Sequence, residues 1–342
     1  MRAAILLAAI STLLAATWST SARAMTLPDY VPEVKSVAEG EEAPSYGWKP
    51  LLKASANVAF GHNSNVVGSA DGSTWTIGSL INGGLGYLAE SGHEWANTLS
   101  WQLAYNKTPL LEEFVKSLDN FELTSSYLYH IPGIPWFGPF ASLMLKTSLF
   151  PGYDVRAADT TYRRLYVSGQ TEDVSLLAQE RLDLTDYFAP TQLRQSAGVF
   201  ADIFDRKLIK LQTRTGVGAW EIFGRDGFVL ADDGATPEVE VKQIEDSVQL
   251  GWELNAVAEG TWKEYVTYKL KANLMYPFVH NTDTELEGMD LMNIETELLV
   301  GFKLSEWASL DYSLKLAKVP FVSEEWQIQN GLMLTLTANI VE

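Results

Sequence analysis

Charged side chains recur at every second position in several hydrophobic segments, and these residue types are well suited to bind or select a solute. In the segment 263–276, Lys269 and Lys271 fall on one face, while Tyr268 and Leu270 fall on the other. Because side chains of a strand alternate between two faces, such segments predict strands whose polar faces line a shared interior. Charges there would cross-link the interior through ion pairs, or form a charged constriction that selects small solutes. The predicted lumen-lining residues are Lys53, Glu122, Lys146, Arg194, Lys210, Arg214, Glu253, Lys269, Lys271, Glu295, Glu297, Asp311 and Lys315.

A second pattern that could carry chemistry is the His-x-Ser-Asn at His62 to Asn65. It is similar to the His-x-Ser-Asn that outer-membrane phospholipases and lipid A deacylases carry on a barrel strand. That resemblance implies that Ser64 is a nucleophile and that His62 is its general base. Val66 stands where those enzymes often have glycine, and the sequence identifies no third residue to orient His62. The alternative interpretation is a polar loop that begins where a strand leaves the membrane.

The elements that would position these residues are alternating strands. In the last segment Leu332, Leu334 and Leu336 share one face, opposite Met333. Period two over about ten residues matches a tilted strand that crosses a membrane. The sequence therefore predicts an all-β, transmembrane, antiparallel up-and-down β-barrel of about twelve strands, or of fourteen if residues 150–190 add a hairpin. The predicted strands are 51–61, 75–89, 95–106, 120–131, 137–149, 191–203, 207–220, 245–256, 263–276, 292–303, 308–318 and 326–340.

The gaps between these strands alternate between long and short. The short gaps are 90–94, 132–136, 204–206, 257–262 and 304–307. Outer-membrane barrels have short periplasmic turns and long external loops, so both termini are expected in the periplasm. Aromatic side chains, which prefer membrane interfaces, support the same two ends. Trp48, Trp95, Trp136, Trp262 and Trp307 fall at the short-gap end, and Trp75, Tyr105, Tyr276 and Trp326 fall at the other.

Strand number bears on whether the interior is open. Eight strands leave an interior filled by side chains, whereas sixteen to eighteen leave an aqueous channel. Twelve strands lie between these cases, so the strand number does not determine whether the interior is open. Gly84, Gly86, Gly216 and Gly218 face inward by alternation and would leave room for large neighbours or for water.

The N-terminal region reads as a targeting segment followed by an irregular arm. Arg2 precedes a short apolar run, and Ala22-Arg23-Ala24 is a small-x-small cleavage pattern, so residues 1–24 are predicted to be a signal peptide. Residues 25–50, rich in proline and glutamate, are predicted to form an extended periplasmic arm, with the barrel over 51–342.

The composition excludes several classes of partner and cofactor. The formal net charge is −18, and loss of residues 1–24 makes it −20 because two arginines leave, which disfavours a nucleic-acid partner. The chain has no cysteine, so disulfides and thiolate metal sites are excluded. With four histidines in all, no metal and no cofactor is predicted.

The predicted external loops are acidic, and the expected partners are outer-membrane lipid and lipopolysaccharide, with small solutes as candidates for the interior. Such acidic runs are usually solvated surface. The alternative is that their carboxylates hold divalent cations that bridge lipopolysaccharide phosphates. The acidic residues are Asp226, Asp232, Asp233, Glu238 and Glu240 in one loop, and Asp283, Glu285, Glu287 and Asp290 in another.

Residues 94–130 resemble a bacterial outer-membrane barrel family described as a domain of unknown function. The resemblance lies in Trp95-x-Asn97, in Lys116-x-x-Asp119 and in the aromatic strand that follows, and it extends through Gly138-Pro139-Phe140 and Tyr187-Phe188-Ala189-Pro190. It implies a barrel and no catalytic residues. The chain departs from many outer-membrane barrels at Ile340-Val341-Glu342, which lacks the terminal aromatic residue that assists assembly.

Together these patterns predict a non-enzymatic protein of a Gram-negative outer membrane, acting as a narrow pore for small solutes or as a structural envelope protein. The alternative from another class is a lipid-ester hydrolase that uses Ser64 and His62. The permeating solute and the oligomeric state are not encoded in any pattern of this sequence.

Overall fold

The computed structural model describes residues 46–63, 72–206, 208–232, 236–263, 265–281, 286–305, 307–320 and 323–341. The predicted signal peptide, residues 25–45 of the predicted arm, and Ser64 lie outside the described residues. Within the described residues, no helix is both long and apolar enough to span a membrane.

Strands make up most of the described chain. They are β1 (Gly47–Asn63), β2 (Gly72–Leu88), β3 (His93–Lys107), β4 (Val115–Tyr129), β5 (Phe137–Thr147), β6 (Gly152–Val155), β7 (Thr160–Leu165), β8 (Thr171–Leu176), β9 (Arg181–Thr185), β10 (Thr191–Arg206), β11 (Ile209–Phe223), β12 (Phe228–Leu230), β13 (Val239–Gln243), β14 (Ser247–Trp262), β15 (Val266–His280), β16 (Asn293–Lys303), β17 (Ala308–Val319) and β18 (Ser323–Val341). A single 3₁₀ turn, Gly288–Leu291, is described before β16.

Twelve of these strands form one closed antiparallel barrel, which confirms the predicted fold class and strand number. Their order around the barrel is β1, β18, β17, β16, β15, β14, β11, β10, β5, β4, β3 and β2. Apolar and polar side chains alternate along each strand. In the closed barrel the apolar side chains therefore face outward and the polar side chains face the interior. Val58 and Phe60 are exposed on the outside, whereas Asn57, next to Val58, is buried. An exposed apolar outer face on a closed barrel is the arrangement of outer-membrane proteins.

The two ends of the barrel differ in their connections. β1 begins and β18 ends at one end of the barrel, here called the short-turn end, where β2 is followed by β3, β4 by β5, β10 by β11, β14 by β15 and β16 by β17. The opposite, or loop, end carries the connections 64–71, 108–114, 148–190, 224–246, 281–292 and 320–322. The predicted alternation of short and long connections fails at two places. The connections 108–114 and 130–136 have the same length, and the last connection is shorter than predicted because β17 and β18 each extend beyond the predicted strand.

Two predicted turns were wrong. The segment 204–206 belongs to β10, where Asp205 is opposite Lys210 on β11. The segment 257–262 belongs to β14, which continues to Trp262. Its neighbours hold it in the sheet, since Glu259 is opposite Lys210 on β11 and Thr261 is opposite Thr267 on β15. The turn instead lies at 263–265.

The long connections 148–190 and 224–246 fold together into a small unit, here called the loop domain. Parallel pairing of β7 with β13 joins the two connections in a four-stranded sheet, and β6 pairs with β9 beside it. Its core contains Tyr162, Leu182 and Val241, all buried. Residues 150–190 therefore add no strand to the barrel, and the fourteen-strand alternative was wrong.

One side of the barrel interior is packed with neutral polar side chains. Asn57 on β1, Asn82 on β2, Ser100 and Gln102 on β3, and Thr335 on β18 are all buried. Most of the charged interior residues lie on the other strands. The interior thus has a packed neutral side and a charged side, and the cavity described below lies along the charged side.

Candidate functional site

A cavity of about 640 Å³ runs inside the barrel along the charged side. Its lining extends from Val319 and Gln327 near the loop end to Glu94 and Lys269 toward the short-turn end. A cavity of this size is in the range of small-molecule sites, about 300–1,000 Å³. The predicted interior residues that line it are Glu122, Lys146, Arg194, Arg214, Glu253, Lys269, Lys271, Glu295, Glu297 and Lys315.

Three predicted interior residues, Lys53, Lys210 and Asp311, are not part of the cavity lining. Each lies on the part of its strand near the short-turn end. Lys210 pairs with Asp205 across the β10–β11 hairpin at 3.6 Å, and Asp311 accepts a hydrogen bond from Ser309 at 2.9 Å.

The centre of the cavity is crossed by an ion pair between Arg194 and Glu295. Nη1 and Nη2 of Arg194 donate to the two carboxylate oxygens of Glu295 at 2.5 and 2.8 Å. Arg194 lies on β10 and Glu295 on β16, so three strands of the wall separate them. The bidentate pair therefore spans the interior, and its planar geometry fixes both side chains there.

Trp220 and Glu253 complete this cluster. The guanidinium carbon of Arg194 lies 3.7 Å from the centroid of the Trp220 ring, a cation–π contact. The indole nitrogen of Trp220 donates a hydrogen bond to Glu253. Trp220 was not predicted to line the interior. It lies an even number of positions from Arg214 and therefore falls on the same inward face of β11. This alternation could have identified it.

Gly218 makes this cluster sterically feasible. A Cβ at this position would lie 2.1 Å from the carboxyl carbon of Glu253, which pairs with the neighbouring strand at Gly216. The sequence predicted that Gly218 leaves room for a large neighbour or for water. The Glu253 carboxylate occupies this room. A larger residue would push Glu253 away from Trp220.

A second group of charges lies on β15, β16 and β17. Glu297 faces Lys315 at 3.4 Å and Lys271 at 3.9 Å, which places one carboxylate between two ammonium groups on adjacent strands. Lys269 pairs with Glu259 on β14 at 3.4 Å. The cavity passes Lys269, Lys271 and Glu297, so a solute in it would meet both signs of charge.

Arg214 reaches across the interior on the side of β4 and β5. It donates to Gln212 at 2.8 Å and to Ser126 at 3.3 Å, and it lies 5.7 Å from the Phe140 ring. Ser126 lies on β4, two strands beyond β10. Glu122 and Lys146 are direct cross-strand partners nearer the loop end.

An apolar cluster and a histidine lie in the interior toward the short-turn end. Leu128, Phe140 and Phe200 pack together and are buried. The His130 ring lies edge-on to Phe200, with centroids 5.0 Å apart. Nε2 of His130 lies 2.8 Å from a carboxylate oxygen of Glu94, and Nδ1 lies 2.7 Å from the carbonyl oxygen of Pro135.

Both ring nitrogens of His130 therefore face acceptors, which favours the imidazolium. The hydrogen bond to Glu94 raises the pKa of His130, burial opposes this, and the Pro135 carbonyl adds to the rise. His130 lies in the turn beyond β4.

Stability is expected to depend on pH through this histidine. The folded-state pKa is raised above the ordinary value of 6.5, so the contribution is fully present below pH 6.5 and is lost as pH rises through the raised pKa. The variant His130→Gln should therefore be destabilised at pH 6 and much less so at pH 9, in urea unfolding from lipid vesicles. Glu94→Gln should weaken the same dependence, and a pH-independent loss in His130→Gln would contradict the assignment.

The His-x-Ser-Asn segment is only partly described. The backbone of His62 belongs to β1 and is opposite Ser73 on β2, whereas Ser64 lies outside the described residues. The pairing of Ser64 with His62 therefore lies outside the described residues and stays a prediction. Among the described side chains, no group of three or more histidines and acids is placed to hold a metal ion.

The predicted interface aromatics lie on the outer face at the two ends of the barrel. Trp95 is close to Trp48, with ring centroids 6.2 Å apart, and Trp75 packs on Phe60 at 4.5 Å. Tyr105 is only partly exposed. The exposed members are Trp75, Trp95, Trp136, Trp262, Tyr276, Trp307 and Trp326.

The Lys116-x-x-Asp119 pattern anchors the long connection after β5. Asp119 accepts hydrogen bonds from Trp101 Nε1 at 3.2 Å, from Lys116 Nζ at 3.2 Å and from the backbone nitrogen of Phe150 at 2.6 Å. Lys116 Nζ also donates to the Phe150 carbonyl at 2.7 Å, and its backbone nitrogen donates to the Tyr153 hydroxyl at 3.2 Å. The pattern thus has a structural role at the base of the loop domain.

Replacing Asp119 by alanine is expected to loosen this anchor. Trp101 Nε1 and the backbone nitrogen of Phe150 would lose their acceptor, while Lys116 keeps the Phe150 carbonyl, and the loss costs roughly 1–3 kcal/mol. Limited proteolysis of the purified protein in detergent should then cut within 148–190 faster than in wild type. Asp173→Ala, which removes an exposed carboxylate paired with Arg163 at 2.9 Å, is the matched control and should change little. Equal cleavage of both variants would contradict the anchor.

Comparisons with known proteins assign no activity to this chain. Residues 64–153 match a family described as "Protein of unknown function (DUF3078)". No curated protein matches the sequence.

Several solved structures are similar to this chain at low identity. An outer membrane channel from Pseudomonas putida F1 has 9% identity and a TM-score of 0.39, over 88% of this chain and 98% of that one. The translocator domain of the autotransporter NalP from Neisseria meningitidis has 8% identity and a TM-score of 0.36, over 86% and 88%. The β-domain of the Bordetella autotransporter BrkA has 11% identity and a TM-score of 0.33, over 86% and 98%.

The matched region 64–153 contains β2 to β5 and ends at Tyr153, so it includes the whole Asp119 anchor. The closed twelve-strand wall, its exposed apolar outer face and its aromatic ends have the form of outer-membrane barrels. This chain therefore has the fold of an outer-membrane β-barrel, and its residues 64–153 match the model of a domain of unknown function (DUF3078).

Proposed function

We propose that this protein is a narrow outer-membrane pore for small polar solutes, without catalytic activity. The observation that carries the proposal is the charged cavity that extends from Gln327 near the loop end to Glu94 near the short-turn end. A purely structural barrel has no need of a lumen lined by charges of both signs. Buried charges are costly unless paired or wet, and here they border a cavity.

The pore is narrow because side chains cross it. The Arg194–Glu295 pair spans three strands of the wall, and Arg214 extends toward Ser126 in the same cavity. These bridges leave room for small solutes and exclude bulky ones. Because both signs of charge line the path, small neutral, zwitterionic or monovalent solutes fit it better than strongly charged ones.

The orientation follows from the connections. Outer-membrane barrels have short periplasmic turns and longer extracellular loops. With the short-turn end in the periplasm, both termini lie there and the loop domain faces the outside. The exposed apolar face would contact membrane lipid, and the acidic loop-end residues would lie near lipopolysaccharide head groups.

Liposome swelling tests this proposal. Vesicles that contain the purified protein should swell in glycerol and in arabinose and should not swell in raffinose, because the bridges limit solute size. Lys53→Gln, which changes a charge outside the cavity lining, should behave like wild type. Swelling in glycerol no faster than in protein-free vesicles would contradict the proposed pore. Equal swelling rates in glycerol and raffinose would contradict the proposed narrow constriction.

A further inference from the structure

Arg214 lines the cavity and, among the residues that the structure describes, it forms no ion pair with a carboxylate. Its Nε donates to Oε1 of Gln212 at 2.8 Å, and its Nη1 donates to Oγ of Ser126 at 3.3 Å. Both acceptors are neutral. Arg194, in contrast, has Glu295 as a direct ionic partner in the same cavity. The positive charge of Arg214 is therefore not neutralised by direct contact.

The side chain of Gln212 fixes the position of this guanidinium. Its Nε2 donates to Oδ1 of Asp202 at 2.7 Å, while its Oε1 accepts from Arg214. Both ends of the amide are thus occupied, so its orientation is set. Gln212 and Arg214 belong to the cavity lining, whereas Asp202 does not. The arrangement holds the guanidinium in place with its charge facing the lumen.

Arg214 has more N–H groups than its described contacts use. A guanidinium carries donors on Nε and on both Nη atoms. The contacts with Gln212 and Ser126 use Nε and Nη1, which leaves Nη2 and the second hydrogen of Nη1 for a solute. Two such parallel donors match the two oxygens of a carboxylate. Ser126 adds a further donor, because its oxygen accepts from Arg214 and its hydroxyl hydrogen can donate.

A row of serine hydroxyls continues from Ser126 along the wall. Ser126 on β4 is opposite Ser142 on β5, and Ser142 is opposite Ser196 on β10. The hydroxyl oxygens of Ser142 and Ser196 are 2.7 Å apart, and all three serines line the cavity. On these three strands the wall beside Arg214 is therefore polar and neutral at this level.

An apolar surface lies next to the donors of Arg214. The guanidinium carbon is 5.7 Å from the centroid of the Phe140 ring. Leu128, which packs with Phe140 and Phe200, also lines the cavity. A solute whose carboxylate contacts Arg214 can therefore place a short carbon chain against Leu128.

Acidic side chains elsewhere in the cavity limit the charge of such a solute. Glu94, Glu253 and Glu295 belong to the same lining. A second carboxylate on the solute would meet these groups, and like charges repel more strongly in a narrow lumen than in bulk water. A solute with a single carboxylate avoids this repulsion.

We propose that Arg214 and Ser126 form a binding site for small monocarboxylate anions inside the lumen. The carboxylate contacts the Arg214 guanidinium and the Ser126 hydroxyl, and a short carbon chain lies against Leu128. This inference rests on the proposed pore and names a class of solute that the pore accepts. The site lies on the short-turn side of the Arg194 bridge, because Trp220, on which Arg194 stacks, follows Arg214 along β11 toward the loop end.

Saturation-transfer NMR of the purified protein in deuterated detergent tests the class of solute, with propionate as the probe at constant ionic strength. Wild type should bind propionate, and the neutral analogue propionamide should bind about tenfold more weakly, because hydrogen bonds to an ionised group are the stronger ones. Succinate, a dianion at pH 8, should also bind more weakly than propionate. Equal affinity for propionate and propionamide, or for propionate and succinate, would overturn the proposal.

Variants test the residues. Arg214→Gln should weaken propionate binding about tenfold, since hydrogen bonds to the ionised carboxylate are lost. Lys53→Gln removes an interior positive charge outside the cavity lining and should bind propionate like wild type. Arg214→Lys keeps the charge without the parallel donors and should have intermediate affinity. Unchanged affinity in Arg214→Gln, or an equal loss in Lys53→Gln, would overturn the site. If Arg214→Gln does not fold, affinity equal to wild type in Arg214→Lys would overturn it instead.

Liposome swelling in glycerol separates failure of the site from failure of the pore, because a neutral solute does not depend on the carboxylate site. If vesicles swell in glycerol while propionate and propionamide bind equally, the pore stands and the site is lost. If propionate binds selectively to wild type and not to Arg214→Gln while vesicles do not swell, the site stands and the open pore is lost.

Discussion

Replacing Arg194 by alanine is expected to raise the conductance of the barrel severalfold and to make it select cations. The substitution removes the guanidinium that spans the lumen to Glu295 at 2.5 and 2.8 Å, and it leaves that carboxylate facing the cavity. An unpaired carboxylate in a narrow path attracts cations and repels anions. The change should be measured as single-channel conductance and reversal potential in a salt gradient.

Neutralising the other member of the ion pair, Glu295, should change the ion selectivity in the opposite direction. Glu295→Gln leaves Arg194 without its anion and should shift the reversal potential toward anions. Lys53→Gln and Asp311→Asn change charges outside the cavity lining and should leave both quantities unchanged. Breaking a buried ion pair costs about 3–5 kcal/mol, and the cost should be smaller here because the cavity can hydrate the remaining charge. Shifts in the same direction for both variants would contradict the assigned geometry.

Replacing Gly138 by alanine is expected to disturb the folding of the barrel itself. A Cβ at Gly138 would lie 1.8 Å from the carbonyl oxygen of Tyr129 and 3.1 Å from the Phe200 ring. Backbone cannot yield as a flexible side chain can, so β4 and β5 must shift where they meet the turn. Overpacking of this kind costs roughly 1–3 kcal/mol and occasionally more.

The matched control is Gly83→Ala on β2, where the nearest atom to an added Cβ is 3.8 Å away. Urea unfolding in vesicles, followed by tryptophan fluorescence, should show a lower midpoint for Gly138→Ala and a nearly unchanged one for Gly83→Ala. Similar midpoints for the two variants would show that the strand contact near Tyr129 is looser than described.

The strands of the barrel were predictable because side-chain direction has a period of two. Each strand has apolar residues on one face and polar residues on the other, so its sequence alternates between the two. The register of neighbouring strands then follows from the hairpins that connect them. The end of β14 was missed because Ala256, Ala258 and Gly260 are too small to show an apolar face.

Contacts between distant parts of the chain were not predictable in this way. The loop domain depends on β7 meeting β13 from another connection, and neither short strand has a pattern strong enough to announce this partner. The sequence suggested charge ladders between adjacent strands, of which Lys271 with Glu297 is an example. It gave no signal that Arg194 would reach past three strands to Glu295, since that contact depends on how the barrel closes.

Single-channel recording in planar lipid bilayers tests the central claim most directly, because a narrow charged lumen must conduct ions. The purified wild-type protein is expected to insert and to give small, uniform current steps, whose reversal potential shifts in opposite directions in Arg194→Ala and Glu295→Gln. A bilayer that stays silent although folded protein has inserted would contradict the account, and the barrel would then be a structural protein of the envelope.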